Sequence, residues 1–451
     1  MEDTRVASLF DDMPQRIALE LQALVAETRR KYPDVRQSAD QLLAQWQADA
    51  DRTVSELQSC KDPSSHALLQ MIVLACETRS PKVIQLALSL LQSSIPLRIL
   101  PDTSLATVID TLHTLLSAPG RTDVDVQLKI LQIVSSLLVT YANVTSELLS
   151  RALMLCFTLY EHSRVVVVSS TAAAMLRQNV MVVFEKVQSE DQSFDAIQNE
   201  DAAVNAPLPV GTAELPSGPV TLFPCAADVY HLLNDLCALA DGQPAQFLPL
   251  DTLSKPFVLE LLESVLTTQS SLFQRHPELV YILRSAACPF LLKALSKPPA
   301  SFSVYIRVMR LVALLLCEYH KEIVLEVEML LRALLDTLDE KHALWQRVLA
   351  WETMRSLSAD SAFLTFLWDQ FDGQADPICV LGRLVECVQQ FSRRLRSTLV
   401  VDDALAAALE QRPDVPHTPT MHSTHTMYDV AMAGMRSAAE GLLSSKAEML
   451  V

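Results

Sequence analysis

Leu128-Lys129-Ile130-Leu131-Gln132-Ile133-Val134-Ser135-Ser136-Leu137-Leu138 decides the fold class. Its apolar positions Ile130, Ile133, Val134, Leu137 and Leu138 recur at spacings of three and four, the period of one face of an α-helix. The same spacing appears upstream at Ile17, Leu21, Leu24 and Val25, and at Leu68, Met71, Ile72 and Ala75. Downstream it resumes at Ala226 and runs through 258–273, 281–295, 305–317, 323–338, 344–357 and 378–399. Breakers at Pro33, Pro63, Pro81, Pro96 to Pro101, Pro119-Gly120 and Asn143 cut the first half into helical pieces joined by short turns. Asp102-Thr103-Ser104 and Thr145-Ser146-Glu147 read as helix starts, because short oxygen side chains accept the orphan amide hydrogens of a first turn. Several helices are apolar on more than one side, as in Val83 to Leu91 and Leu311 to Leu316. Such helices need neighbours on two faces. Stacked helical hairpins of the armadillo or HEAT kind provide them, so the expected fold is an all-α superhelical stack with degenerate repeats.

Composition agrees. The 451 residues hold only 8 glycines, where average usage of about 7% would give roughly 30. Strand-rich folds with many tight turns and glycine-cradled phosphate sites are therefore disfavoured. Asp and Glu number 53 against 36 Lys and Arg, a net charge of -17, which disfavours a surface that grips nucleic acid or anionic lipid throughout and leaves room only for a local basic patch. Mean hydropathy is +0.23, yet no uninterrupted apolar run approaches the roughly 20 residues of a membrane span. The opening Met1-Glu2-Asp3-Thr4-Arg5 lacks the layout of a signal peptide, so a cytosolic chain is expected. The nine cysteines lack a C-x-x-C pair and read as buried reduced thiols.

Residues 190–223 are acidic, contain several prolines and are poor in large apolar groups, the composition of a linker or surface loop. A second break, Arg412 to Pro419, precedes a last helix over about 426–450, whose apolar side has no downstream partner; this points to a fragment of something longer. The expected organisation is a helical domain over 1–189, the linker, a second helical domain over 224–411, and the break with its final helix over 412–451.

No phosphate-loop, dinucleotide, serine-hydrolase or zinc-protease motif is present, so neither an enzyme nor a cofactor is expected. His417, His422 and His425 form the densest candidate metal cluster, but without nearby cysteines or a fixed scaffold they read as ordinary polar residues. His231, His320 and His342 read as isolated partly buried or capping histidines. Asp11-Asp12 and Asp402-Asp403 fit helix starts, where the dipole favours them. Two basic groups remain: Arg29, Arg30 and Lys31 with Arg36, and Arg393-Arg394 with Arg396. Either reading suits them, as helix C-terminal cations or as contacts for anionic lipid or an acidic partner. Against an acidic background the group at 29–36 is the better candidate contact.

Several stretches together resemble one family. Arg29-Arg30-Lys31-Tyr32-Pro33-Asp34-Val35-Arg36 resembles the basic turn joining the first two helices of the Mon-two trafficking proteins. Ser80-Pro81-Lys82-Val83-Ile84 and Leu128-Lys129-Ile130-Leu131-Gln132 are similar to the signatures that follow, and Thr171 to Glu185, with Arg177 and Gln178, is the most specific match. That segment closes the dimerisation and cyclophilin-binding domain of this family and of the related large Sec-seven-type Arf exchange factors. Leu233-Asn234-Asp235-Leu236-Cys237 resembles the opening of the domain known as "homology upstream of Sec-seven". Leu259 to Leu266 and Arg307-Val308-Met309-Arg310-Leu311 resemble its later helices. The box departs from the family pattern at Ala238-Leu239-Ala240-Asp241-Gly242, where a more polar continuation is expected. Met427-Tyr428-Asp429-Val430-Ala431 resembles the first helix of the downstream helical region of Mon-two, which favours that family over an exchange factor.

The resemblance implies a non-enzymatic scaffold, peripheral on trans-Golgi and endosome membranes. Its implied partners are a Dopey-type protein, a phospholipid flippase and an Arf-like small GTPase. An anionic membrane surface and a homodimer fit as well, and nucleic acid does not. Two rival readings are the regulatory N-terminus of an Arf exchange factor and a karyopherin-like cargo adaptor with a near-regular repeat.

Overall fold

The computed structural model describes residues 13–373 apart from 61, 63–65, 79, 118–122, 200–207, 298–300 and 340, together with 381–383, 385, 386, 389, 390 and 393. The chain forms two compact units, Met1–Cys387 and Val388–Val451. The architecture below is that of the first.

Its first half runs α1 (Met13–Thr28), α2 (Pro33–Ala48), α3 (Ala50–Ser59), α4 (Ala67–Glu77), α5 (Pro81–Ser94), α6 (Leu105–Ser117), α7 (Val124–Thr140), α8 (Ser146–His162) and α9 (Val166–Asn199). A hairpin of β1 (Gly211–Leu215) and β2 (Gly218–Leu222) follows. The second half runs α10 (Pro224–Asp241), α11 (Lys255–Thr268), α12 (Ser270–Arg275), α13 (Pro277–Ile282), α14 (Cys288–Ser296), α15 (Phe302–Glu318), α16 (Val324–Asp336), α17 (Leu344–Ser358) and α18 (Ser361–Leu367). The fold is the all-α stack that the periodicity predicts.

Two layers build it. In one, α1 packs on α5, α5 on α7, α7 on α9, α9 on α11, α11 on α15 and α15 on α17. In the other, α2 packs on α4, α4 on α6, α6 on α8, α8 on α10, and α14 on α16. Each helix therefore buries one side against its own layer and another against the facing layer, which explains the two-sided apolar patterns. Ile130, Ile133, Val134, Leu137 and Leu138 are all fully buried. Each such side chain contributes roughly 1.5–3 kcal/mol on leaving water. Successive helices form the core, and the contacts are mostly local.

Three expectations need correction. The acidic stretch from 190 is not a linker at its start, because α9 continues to Asn199. Glu190 and Asp191 belong to this helix and bond to the second half, so tertiary partners stabilise a segment whose composition alone does not. Residues 211–222 of the stretch form the hairpin, where Gly218 adopts φ +120, a backbone region that other residues rarely enter. Thus two of the eight glycines, Gly211 and Gly218, are spent on the one sheet among the described residues.

The helix expected over 281–295 is interrupted by a π-helical turn at Leu283–Ala287. Pro289 lacks an amide hydrogen for the carbonyl four residues back, and the Cys288 amide bonds instead to the Leu283 carbonyl. The segment over 258–273 is likewise two helices that meet at Gln269. The sequence expectation of no uninterrupted apolar run of membrane-spanning length stands, although Val166–Phe194 and Pro277–Ser296 have the mean hydropathy and length to cross a membrane. In this stack α9 lies between α7, α8, α10 and α11. Its Arg177 bonds to α11, and its Lys186 to carbonyls of the turn between α7 and α8, as core helices allow.

Candidate functional site

The basic group at 29–36 forms at the first turn of the stack. Thr28 closes α1 by donating its hydroxyl to the Leu24 carbonyl at 2.7 Å, so Arg29, Arg30 and Lys31 leave the helix into solvent. Pro33 occupies the first turn of α2, where its missing amide hydrogen costs nothing, and buried Val35 and Ala39 seat that helix. Arg36 is exposed and pairs with Asp40 at 3.3 Å. Arg29, Arg30, Pro33, Arg36, Gln37, Asp40 and Gln41 line one open groove of about 440 Å³. A second groove of about 520 Å³ crosses α1, α5 and α7 and is lined by Glu27, Lys82, Gln85, Asp125 and Lys129 among others. Lys82, named by the sequence, is exposed there, and Pro81 starts α5.

The other signatures converge elsewhere. Arg177 on α9 reaches Glu260 on α11 at 2.6 Å, and Glu260 also pairs with Arg307 on α15 at 3.2 Å. Glu263 is 3.8 Å from Arg307 and 3.7 Å from Arg310. The Arg177 guanidinium lies 5.4 Å from the centroid of Phe257, which stacks on Tyr160 at 4.4 Å. Three separately noted stretches thus form one ion-pair ladder across three helices of one layer. Gln178 is exposed beside it.

Asn234, Asp235, Leu236 and Cys237 lie on α10, with Asn234 half-buried and the other three buried. The Asp235 carboxylate accepts hydrogen bonds from the amides of Gln246 at 2.8 Å and Leu248 at 2.6 Å. It pins the loop after α10, and that loop's Phe247 carbonyl accepts a bond from Ser150 on α8 at 2.6 Å. The box therefore ties the two halves together. Burial pushes the Cys237 thiol up to about 12, so it is no nucleophile.

A further cluster at the same junction escapes sequence reading. Asp228 on α10, 2% exposed, accepts the Ser146 amide at 2.7 Å. This supplies the start of α8, because Thr145 makes no side-chain cap. Burial pushes the Asp228 carboxyl up to about 7, opposed by that hydrogen bond and by Lys186. Lys186, itself lowered by burial, donates to the Tyr141 carbonyl at 2.9 Å. Glu190 accepts the first amides of α10, from Cys225 at 3.2 Å and Ala226 at 3.1 Å, and burial raises its carboxyl. His276 faces Glu278 at 2.7 Å and Asp191 at 3.1 Å. Burial lowers the affinity of His276 for its proton, but the two carboxylates outweigh this and its pKa is raised. The only sequence signal was a lone acid in an apolar helix, as at Asp228.

His320 is buried and bonds carbonyls at the end of α15, His231 is exposed and His342 half-buried. Among the described residues no three His, Cys, Asp or Glu side chains group as a metal site. Arg393 is exposed on a helix. Arg394, Arg396, Asp11, Asp12, Asp402, Asp403, His417, His422, His425 and the helix expected over 426–450 lie outside the described residues.

Two family models match. Residues 10–191 match the dimerisation and cyclophilin-binding domain, and residues 225–377 the HUS domain, both described as Mon2/Sec7/BIG1-like. A human protein named Protein MON2 homolog is 29% identical over 413 residues, covering 88% of this chain and 23% of that one. Its Xenopus laevis counterpart is 28% identical and covers 90% of this chain and 24% of its own. Protein MON2 of Saccharomyces cerevisiae is 26% identical, covering 84% and 22%. The chain thus spans about a quarter of the length of the curated relatives it matches. It belongs to the Mon2/Sec7/BIG1-like family.

Proposed function

We propose that this member of the Mon2/Sec7/BIG1-like family is part of a non-catalytic scaffold for traffic between endosomes and the trans-Golgi. Residues 1–189 and 224–411 serve as its two helical modules, with 190–223 between them and 412–451 opening a further helical region. The chain binds protein partners on the surfaces of the stack and attaches peripherally to trans-Golgi and endosome membranes through Arg29, Arg30, Lys31 and Arg36. A Dopey-type protein, a phospholipid flippase and an Arf-like small GTPase are the partners that fit the family, and self-association fits the first module.

The observation that carries this reading is the similarity to proteins named MON2 over most of the chain, on a fold of stacked helices whose family-like signatures hold helices together. Solenoids present long grooves and faces suited to protein contacts. The test uses the full-length protein in cells. Its distribution against trans-Golgi and endosome markers, its co-purifying proteins and its effect on nucleotide exchange by Arf-family GTPases are measured together. Stimulated exchange by the protein itself supports an exchange-factor reading instead, and a diffuse distribution with no membrane fraction removes the scaffold reading.

A further inference from the structure

The two grooves of the first half differ in how their charge is compensated. In the groove across α1, α5 and α7, Lys82 and Lys129 stand against Glu27 and Asp125, so the lining is neutral. Asp125 also accepts from Gln85 at 2.9 Å, and Lys129 donates to Gln92 at 2.9 Å. The groove at the α1–α2 turn is lined by three arginines and one carboxylate. Only Arg36 is paired, with Asp40 at 3.3 Å; Arg29 and Arg30 have no ion-pair partner among the described residues. Lys31 adjoins them and is exposed.

Geometry narrows the ligand. Arg29 and Arg30 arrive from the end of α1 and Arg36 from the first turns of α2, so the guanidinium groups border one concavity from two directions. A guanidinium donates in a planar fork that fits phosphate oxygens two at a time. One lipid phosphate satisfies one or two forks, whereas two phosphates on one compact ring satisfy all three. The amide side chains of Gln37 and Gln41 on the same wall can both donate to and accept from hydroxyl groups. The start of α2 has no side-chain cap, which adds the positive end of its dipole, and Asp34 offsets part of that.

We propose, building on the membrane-attachment reading above, that this groove binds a polyol headgroup carrying at least two phosphates, of the inositol bisphosphate kind. Arg29, Arg30 and Arg36 pair with the phosphates, while Gln37 and Gln41 meet ring hydroxyls. Asp40 pairs with Arg36 at 3.3 Å and is the one carboxylate on the groove wall, outnumbered there by the three arginines.

The test compares sedimentation of the whole 451-residue chain with two kinds of phosphatidylcholine vesicle. One contains phosphatidylinositol bisphosphate, and the other contains phosphatidylserine at equal total charge. Soluble inositol bisphosphate serves as competitor and, in calorimetry, as a ligand alone. The paired variant is Arg29→Gln with Arg30→Gln, and Lys82→Gln with Lys129→Gln removes equal charge elsewhere. All four positions are solvent-facing or line open grooves, and circular dichroism confirms that the variants fold. Each cation at an anionic surface is worth about fivefold in binding, so the first pair loses about 25-fold on bisphosphate vesicles and the second pair far less. Preference for bisphosphate vesicles, competition by the soluble headgroup and that loss together establish the groove. Equal binding to both vesicles without competition overturns the groove and leaves membrane attachment standing. Binding of the soluble headgroup without vesicle binding keeps the groove and overturns attachment, and binding of neither overturns both.

Discussion

Raising the pH from 5 to 8.5 loosens the junction between the two halves, and Asp228 accounts for a separable share of the effect. Its carboxyl is held near pKa 7 by burial, against an ordinary value of 3.8. A carboxyl with a raised folded pKa favours the fold while neutral, below the unfolded value, and that contribution disappears as pH rises through about 7. Weighing the two protonation equilibria gives a loss of about 3 kcal/mol between pH 5 and 8.5 at about 1.4 kcal/mol per unit. His276 acts in the same direction. Its raised pKa means that the charged ring, which alone can donate from both nitrogens to Glu278 and Asp191, is lost on the alkaline side. Asp228→Asn keeps an oxygen for the Ser146 amide but cannot ionise. Urea unfolding midpoints, taken at several pH values for wild type and D228N, should show a shallower alkaline decline in the variant. Hydrogen exchange over 144–148 and 224–228 should localise the difference. A decline of equal slope in both proteins refutes the assignment to Asp228.

Removing the Asp235 carboxylate with Asp235→Ala strands two amides, at Gln246 and Leu248, and each bond to a charged acceptor is worth about 1.5–3 kcal/mol. A total loss of about 3 kcal/mol or more is expected in denaturant unfolding, with fast exchange at those amides; protection there as in wild type contradicts the anchoring role. The Arg177–Glu260 pair is partly exposed, so a double-mutant cycle of Arg177→Ala with Glu260→Ala should give a coupling of only about 1 kcal/mol. Burial pushes the thiols of Cys76, Cys156, Cys237 and Cys288 up to about 12. A thiol reagent at neutral pH should leave those four unmodified by mass spectrometry until denaturant is added, while the partly exposed Cys60 reacts in the native protein.

The helices were legible because their stability comes from what periodicity measures. Leu68, Met71, Ile72 and Ala75, chosen only for spacing, are all buried on α4. Spacing also implied the second buried face, and hence the stack. The end of α9 was illegible for the converse reason. Glu190 and Asp191 look like linker residues, and what holds them in a helix is the start of α10 and the turn at His276, 35 and 85 residues away. Likewise Thr145 reads as a cap, yet the Ser146 amide bonds to Asp228, 82 residues further along the chain. The hairpin escaped because two glycines in an acidic, proline-bearing stretch say turn without saying strand. For the basic group, the sequence supplied its members, whereas the groove that collects three of them depends on where α2 leaves α1.

The family-like stretches were individually weak, and the structure gives a physical reason for their collective weight. A residue on a stacked helix is constrained chiefly by its immediate neighbours, and most neighbours ask only for an apolar side chain of suitable size. Charged residues on inward-leaning positions are different, since each needs a partner of opposite sign at a fixed place on another helix. Arg177, Glu260 and Arg307 meet that requirement across α9, α11 and α15, whereas Asp235 is satisfied by two backbone amides of the loop after its own helix. Of these, Arg177–Glu260 joins the first half to the second, and the loop that Asp235 pins reaches back to Ser150 on α8. If the halves were separate bodies on a flexible tether, their shared surface would need none of this pairing. Instead both layers run through the junction, α9 onto α11 and α8 onto α10, so the groove at the first turn belongs to the same compact unit as the helices of the second half. A ligand held at Arg29, Arg30 and Arg36 therefore orients the whole unit rather than one domain of it.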